Sequence, residues 1–247
     1  MIKATKDLLR HLKWFLPLLI IVSTIVIMNI PASYLVDKLE KASGYRLRMM
    51  NTTGTVWNGS AYIGLSYGKP DKLPITLPTP VTWSISISNI LNLNINVKHK
   101  NIAKPFKIYP FKKAISDLYI EDLPIDFFDG LEGPLSSLDL GGNIQVHIPE
   151  TSIGNIENIP LDITFTEIYR KEDPNLILGS YSIKSGNEDN RFDVSTISGV
   201  LNISGSGTLK PFSFSGEAKP DEIFASRLSP FLHTIGYEKE GKTVIEF

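Results

Sequence analysis

The sequence contains no cysteine. That single absence excludes disulfide frameworks, thiolate zinc sites and cysteine nucleophiles. It suits an envelope protein that avoids misoxidation, and many cytosolic proteins as well. Excess charge of either sign is also missing. In the 247-residue chain, 25 Lys and Arg stand against 26 Asp and Glu, a net charge of −1, and the pI is near 6.4. A polyanion-binding protein carries a basic excess, so nucleic acid is not an expected partner. Histidine is scarce: His11, His99, His147 and His233 are not at metal-ligand spacing, and each reads as an ordinary surface residue. No serine occupies a G-x-S-x-G elbow. The "GSGT" of Gly205–Thr208 lacks the third glycine of a dinucleotide fingerprint and reads as a turn beside a strand. The acids around Asp189 and Asp193 lack calcium-loop spacing and read as a polar hairpin tip. The acidic run "EDLPIDFFDGLE", Glu121–Glu132, could present a carboxylate pair, but its default is a solvated loop. No catalytic, metal-binding or cofactor-binding residue is expected.

One signature is formally present. "GYEKEGKT", Gly236–Thr243, fits G-x-x-x-x-G-K-[ST], the phosphate-cradling P-loop. That loop works only between a strand and a helix whose N-terminus faces the phosphates. Here the chain continues with "VIEF", whose Val, Ile and Phe prefer strand, and no parallel βαβ pattern precedes it. The stretch is predicted to be a β-hairpin turning at "KEGK", and no nucleotide is expected.

Long hydrophobic runs are missing too, with one exception. "WFLPLLIIVSTIVIMNI", Trp14–Ile30, carries no charge and would span roughly 25 Å as a helix, near the lower limit for a bilayer. Pro17 falls in the first turn of that run, where a missing N–H costs little. Trp14 and Tyr34 suit the two interfaces. Lys3, Lys6, Arg10 and Lys13 precede the run, and Lys38, Lys41, Arg46 and Arg48 follow it, so charge alone does not orient it. The leading tail is short and the trailing part long, and long domains translocate largely regardless of charge. The expected organisation is therefore a cytoplasmic tail at 1–13, an uncleaved transmembrane signal anchor at 14–30, a juxtamembrane helix or linker at 31–44, and a periplasmic domain at 45–247. A cleaved signal peptide is the rival; "IPAS" offers Ala32 but no good small residue at the −3 position.

After the anchor, "YLVDKLEKA" repeats Leu35, Leu39 and Ala42 at helical spacing before Gly44. Beyond Gly44 the period becomes two. "GTVWNGSAYIGLSYG" alternates Trp57, Ala61, Ile63 and Leu65, which predicts that Trp57 faces a core. "VTWSISISNILNLNINVKH" places Val81, Trp83, Ile85, Ile87, Leu91, Leu93, Ile95 and Val97 on one face, with a break at Asn89 and Ile90 that predicts a turn or bulge. Further short alternating runs follow, separated by "KEDPN", "SGNEDN", "GSG" and "KPF". A short helix near Ala114, another in "LPIDFFDGLEGPL", and a helix over 221–235 with Asp221 at its start and Pro230 kinking or ending it complete the pattern. The fold class is mainly β: an antiparallel sandwich, half-barrel or barrel-like domain with a few short helices.

Read in order, "IPASYLVDKL", "GTVWNGSA", "PVTWSISISNILNLNINV", "LGSYSIKSGNEDNRFDVSTISGVLNISGSGTL", "FSFSGEA" and "FLHTIGYEKEGKTVIEF" resemble the general secretion pathway protein N (GspN-like) family of the type II secretion system. The most specific element is G-T-[VL]-W-x-G-x-A, falling on Gly54, Thr55, Val56, Trp57, Gly59 and Ala61, with Trp83 downstream. The resemblance implies a bitopic inner-membrane protein with a periplasmic β domain. Its partners would be other secretion subunits exporting folded proteins across the outer membrane, and it would have no catalytic residues. Gly54 and Gly59 suit a bulge or close backbone crossing, so the motif is expected to be structural. A fold-level similarity to AsmA-like envelope proteins gives an alternative: a lipid-handling module with an apolar sheet face.

Overall fold

The computed structural model describes residues 2–66, 73–87, 93–130, 138–152, 159–185, 190–209 and 211–246, with side chains from Phe15 onward. Helix α1 spans Ile2–Met28. It begins well before the apolar run, so Pro17 is an interior residue and not a first-turn one. Every side chain from Phe15 to Met28 is exposed. Among the described residues no helix is long and apolar enough to cross a membrane.

Helix α2, Ser33–Ala42, follows directly. It stops because Gly44 adopts φ +61°, and the Tyr45 N–H turns back to the Glu40 carbonyl at 2.7 Å. Leu39 and Ala42 of the expected apolar stripe are exposed. The helix instead uses polar groups. The Glu40 carboxylate accepts the Met49 N–H at 2.9 Å and pairs with Arg48 at 3.2 Å, while Ser43 Oγ accepts the Leu47 N–H at 3.1 Å. These side chains cover the outer edge of the first strand, which would otherwise offer unpaired donors to any passing chain.

Two antiparallel sheets follow. The first contains β1 (Leu47–Gly54), β2 (Asn58–Leu65), β3 (Ile75–Thr76), β4 (Val81–Ile87), β5 (Leu93–Lys98), β6 (Phe106–Tyr109), β7 (Ala114–Ile115) and β10 (Thr151–Ser152), in the order β1-β2-β4-β5-β6-β7-β10 with β3 beside β2. The second contains β8 (Leu118–Pro124), β9 (Leu140–Ile148), β11 (Leu161–Arg170), β12 (Asp173–Ser185), β13 (Arg191–Gly199), β14 (Leu201–Leu209), β15 (Phe212–Pro220), β16 (Tyr237–Lys239) and β17 (Lys242–Glu246), in the order β16-β17-β15-β14-β13-β12-β11-β9-β8. Neither path closes on itself among the described residues; both are open antiparallel sheets. The sheets meet at an Ile102–Ile120 bridge. Asn51, Asp122 and Glu167 have φ near +50° and sit where the registers of β1, β8 and β11 slip. Such bulges bend a strand and increase its twist, which curves the sheets.

A 3-10 helix, Ile125–Gly130, is the wedge between the sheets. Phe127 joins Leu77 and Leu123 in a small cluster with Ile63, Leu65 and Val81 of the first sheet. Ile125 belongs to the main core under the second sheet, and Phe128 packs against both. Helix α3, Ala225–Ile235, lies over one end of the second sheet and buries Leu228, Phe231, Leu232 and Ile235. Asp221 stands before a 3-10 turn that leads into α3, with no side-chain cap. Pro230 neither ends the helix nor separates it into two; α3 runs on to Ile235.

Several expectations are corrected. Ala114 lies in a strand, paired with Tyr109 and Ser152, because its neighbours supply edge partners that a lone helical turn could not use. The "GSG" before Thr208 is strand interior, not a turn. Gly205 and Gly207 face the concave side, where an added Cβ would lie 2.7 Å from the Phe214 ring and 2.5 Å from the Phe192 ring. Aromatic cover from neighbouring strands thus compensates for glycine's poor strand propensity. The break at Asn89 and Ile90 lies outside the described residues, but β4 and β5 on either side of it pair antiparallel, Ile87 opposite Leu93. The "SGNEDN" tip likewise falls largely outside them.

Candidate functional site

The polar candidates do not converge on a reaction centre. "GYEKEGKT" is the hairpin β16–β17, with Glu240 and Gly241 at φ +53° and +75° forming its two-residue turn. Lys242 places Nζ 2.9 and 2.8 Å from the two Glu217 carboxylate oxygens, so it ties the hairpin to β15. His99 accepts the Asn101 N–H on Nδ1 at 3.2 Å, which leaves Nε2 to donate to the Thr79 carbonyl at 3.1 Å. His147 lies 2.8 Å from Asp117 and 3.9 Å from Asp162, beside the Tyr119 ring on the sheet surface. The acidic run does bring two carboxylates together, but on a cation. Lys171 Nζ is 3.0 Å from Asp126, 2.9 Å from Asp129 and 3.5 Å from Asp139. The hydrogen bonds that Lys171 donates to Asp129 and Asp126 hold the lysine well above its ordinary range. This cluster pins the 3-10 wedge to the β11–β12 turn. Among the described residues no group of three or more His, Asp or Glu could hold a metal ion.

The motif residues form a joint between α1 and the first sheet. Gly54 has φ +84°, and a Cβ there would meet the Asn58 carbonyl at 2.4 Å. Thr55 and Asn58 bond reciprocally, backbone to backbone at 2.8 Å and Asn58 N–H to Thr55 Oγ1 at 3.2 Å. In this loop the Val56 N–H reaches the Ile30 carbonyl at 2.9 Å, and Ala32 donates to Gly54 at 3.1 Å. Trp57 precedes β2 and does not face the core as predicted. Its indole N–H donates to the Ile27 carbonyl at 2.7 Å, at the end of α1, where that carbonyl's other bond is a long one from the Ile30 N–H at 3.4 Å. Alternation misplaced it because the strand starts one residue later. Trp83 donates to the Val56 carbonyl at 3.0 Å and lies over Gly59, where a Cβ would sit 2.4 Å from its ring. Ala61 is fully buried.

A large concavity elsewhere in the domain is apolar. A cavity of about 570 Å³ lies on the concave face of the second sheet. Alternate residues of β11 to β15 form its floor, including Ile163, Ile183, Val194 and Ile203, and Phe231 and Ile235 of α3 cover one end. Gly205, Gly207 and Gly216 keep side chains off the floor, and Phe192, Phe212 and Phe214 stack across it with ring centroids about 6 Å apart. Among the described residues only Tyr181 and Ser185 bring polar side-chain atoms to the lining. The Tyr181 hydroxyl donates to the Leu201 carbonyl at 3.0 Å, and burial pushes its ionisation far above the ordinary phenol range. Ser185 donates to the Ile159 carbonyl at 3.3 Å. The described lining is therefore almost entirely hydrocarbon. Sequence reasoning named an apolar sheet face but not these residues, because inward alternation looks the same whether the face is filled or hollow.

The family model for type II secretion system (T2SS), protein N matches residues 46–246. The chain belongs to the type II secretion system protein N family. The protein N match takes in both sheets, the 3-10 wedge, α3 and the whole cavity, and it begins just after α2. No curated protein and no solved structure matches the chain.

Proposed function

We propose that this protein N is a non-catalytic component of the type II secretion system, anchored in the inner membrane by α1, with its N-terminus cytoplasmic and its β domain periplasmic. In this reading it supports export of folded proteins across the outer membrane through contacts with other secretion subunits. The observation that carries the reading is the family match across the entire β domain. The character of α1 adds support. From Phe15 to Met28 its apolar side chains are exposed all round, which is unfavourable in water and favourable in lipid. Thr24 and Asn29 bond back to the Ile20 and Ile25 carbonyls at 2.8 Å, so their polarity is spent within the helix. The Gly54–Ala61 loop and Trp83 are then structural parts that fix the anchor to the domain. They are not a ligand site.

Photo-crosslinking in cells from exposed positions across both sheets, with the captured proteins identified, tests the contacts; secretion subunits are the expected catch. Protease added to intact spheroplasts should digest the β domain and spare a short anchored fragment. Full protection of the domain, or capture confined to cytosolic proteins, would overturn the topology.

A further inference from the structure

We propose that the cavity on the second sheet is a binding site for one long fatty-acyl chain, which enters from the end where the hairpin strands β12 and β13 finish at Ser185 and Arg191, and β14 and β15 at Leu209 and Phe212. The inference stands apart from the secretion reading and needs none of its partners. A half-open concavity of about 570 Å³ falls within the range of small-ligand sites. Its chemistry selects the occupant. Both polar side chains on the lining are already committed to carbonyls, and the floor is sheet whose backbone groups pair within the sheet. A peptide segment placed inside would therefore bury amides with nothing to bond, whereas a hydrocarbon chain loses nothing.

The two ends of the cavity differ, and that sets direction. At one end Leu228, Phe231, Leu232 and Ile235 of α3 close over Leu201 and Ala218, all buried. At the other end Leu209 and Phe212 line the cavity while remaining 41% and 55% exposed, and Arg191 and Thr208 stand opposite each other on β13 and β14. The methyl end of the chain points to α3, and the polar head stays at the hairpin end in water. From Leu178 to Ser185, β12 lines the cavity over roughly 23 Å at the rise of a strand, a path suited to an extended chain.

The test uses the full-length chain in its own membranes, with the photoreactive residue p-benzoylphenylalanine replacing Val194 inside the cavity or Ser195 on the opposite face of the same strand. After irradiation the intact protein is weighed. Adducts of lipid mass at position 194 and none above background at 195 are expected, and the added mass tells free fatty acid from phospholipid. Ile203→Trp, and separately Leu161→Trp nearer the mouth, should abolish the adduct at 194 while the β domain keeps the parent's cooperative thermal unfolding and β-sheet circular dichroism. Two blocking variants guard against one that fails to fold. A folded protein giving no lipid adduct at 194, equal adducts on both faces, or a peptide adduct at 194 would overturn the proposal.

Discussion

Gly59 and Trp83 give the sharpest test of how the α1 joint is built. An alanine methyl at position 59 would lie 2.4 Å from Trp83 Cζ2, 2.8 Å from Cε2 and 2.9 Å from the Thr53 carbonyl oxygen. Contacts that short force the ring to move, and the ring is held by its hydrogen bond to Val56. Overpacking of this kind costs about 1–3 kcal/mol, so Gly59→Ala should lower Tm by roughly 2–12 °C for a body of this size. Trp83→Leu loses the hydrogen bond and much of the ring, for about 2–4 kcal/mol, somewhat under full truncation to alanine. In the double variant the ring atoms that clash are gone and only the Thr53 contact persists. The two losses should therefore fall short of their sum by at least about 1 kcal/mol. Thermal unfolding of the four proteins of the cycle, followed by the β-sheet circular dichroism signal, measures this. Losses that add within about 0.5 kcal/mol would refute the reasoning and assign the glycine to backbone geometry alone.

Trp57→Phe removes one hydrogen bond to the end of α1 from a half-buried side chain, so it should cost about 1 kcal/mol, well below the loss for a core tryptophan; limited proteolysis should show faster cleavage around Pro31 with the β domain intact. Leu228→Ala empties a fully buried site beneath α3 and should destabilise by about 2–5 kcal/mol in denaturant unfolding. Lys171→Met should uncouple the 3-10 wedge, and pH-dependent Tm reports it: because the folded-state pKa lies above 10.5, the lysine's contribution is complete below that pH and fades as pH rises through the folded value. The variant should lack that alkaline decline; with the side chain a third exposed, the effect is modest. Lys242→Ser should leave ATP binding undetectable by calorimetry, as in the parent, and shift stability by less than about 1 kcal/mol, since it severs only a surface pair with Glu217.

Much of the local structure was legible because it is set by neighbours along the chain. Alternation located β4, β5, β9 and β11 to β15, and the Glu240–Gly241 turn announced a hairpin where a motif search saw a phosphate loop. Helices α2 and α3 followed from spacing and a stopping glycine. The misreadings share a cause. Trp57 was placed inward by a period that begins only at Asn58, and Gly205 and Gly207 looked like a turn because their partners, Phe214 and Phe192, come from other strands.

The sequence by itself determined most of the longer strands, which face of them is apolar, and where one uncharged stretch interrupts a balanced composition. Those properties depend on period, propensity and turn chemistry over a few residues. Only the tertiary structure decided that the strands form two open sheets hinged on Phe127 and Phe128, that Trp57 grips the end of α1, and that the larger sheet's inner face is hollow under α3. Whether an inward row of leucines and isoleucines is packed or left as a cavity depends on what is laid against it. That is fixed by contacts between residues far apart in the chain, which no local pattern records.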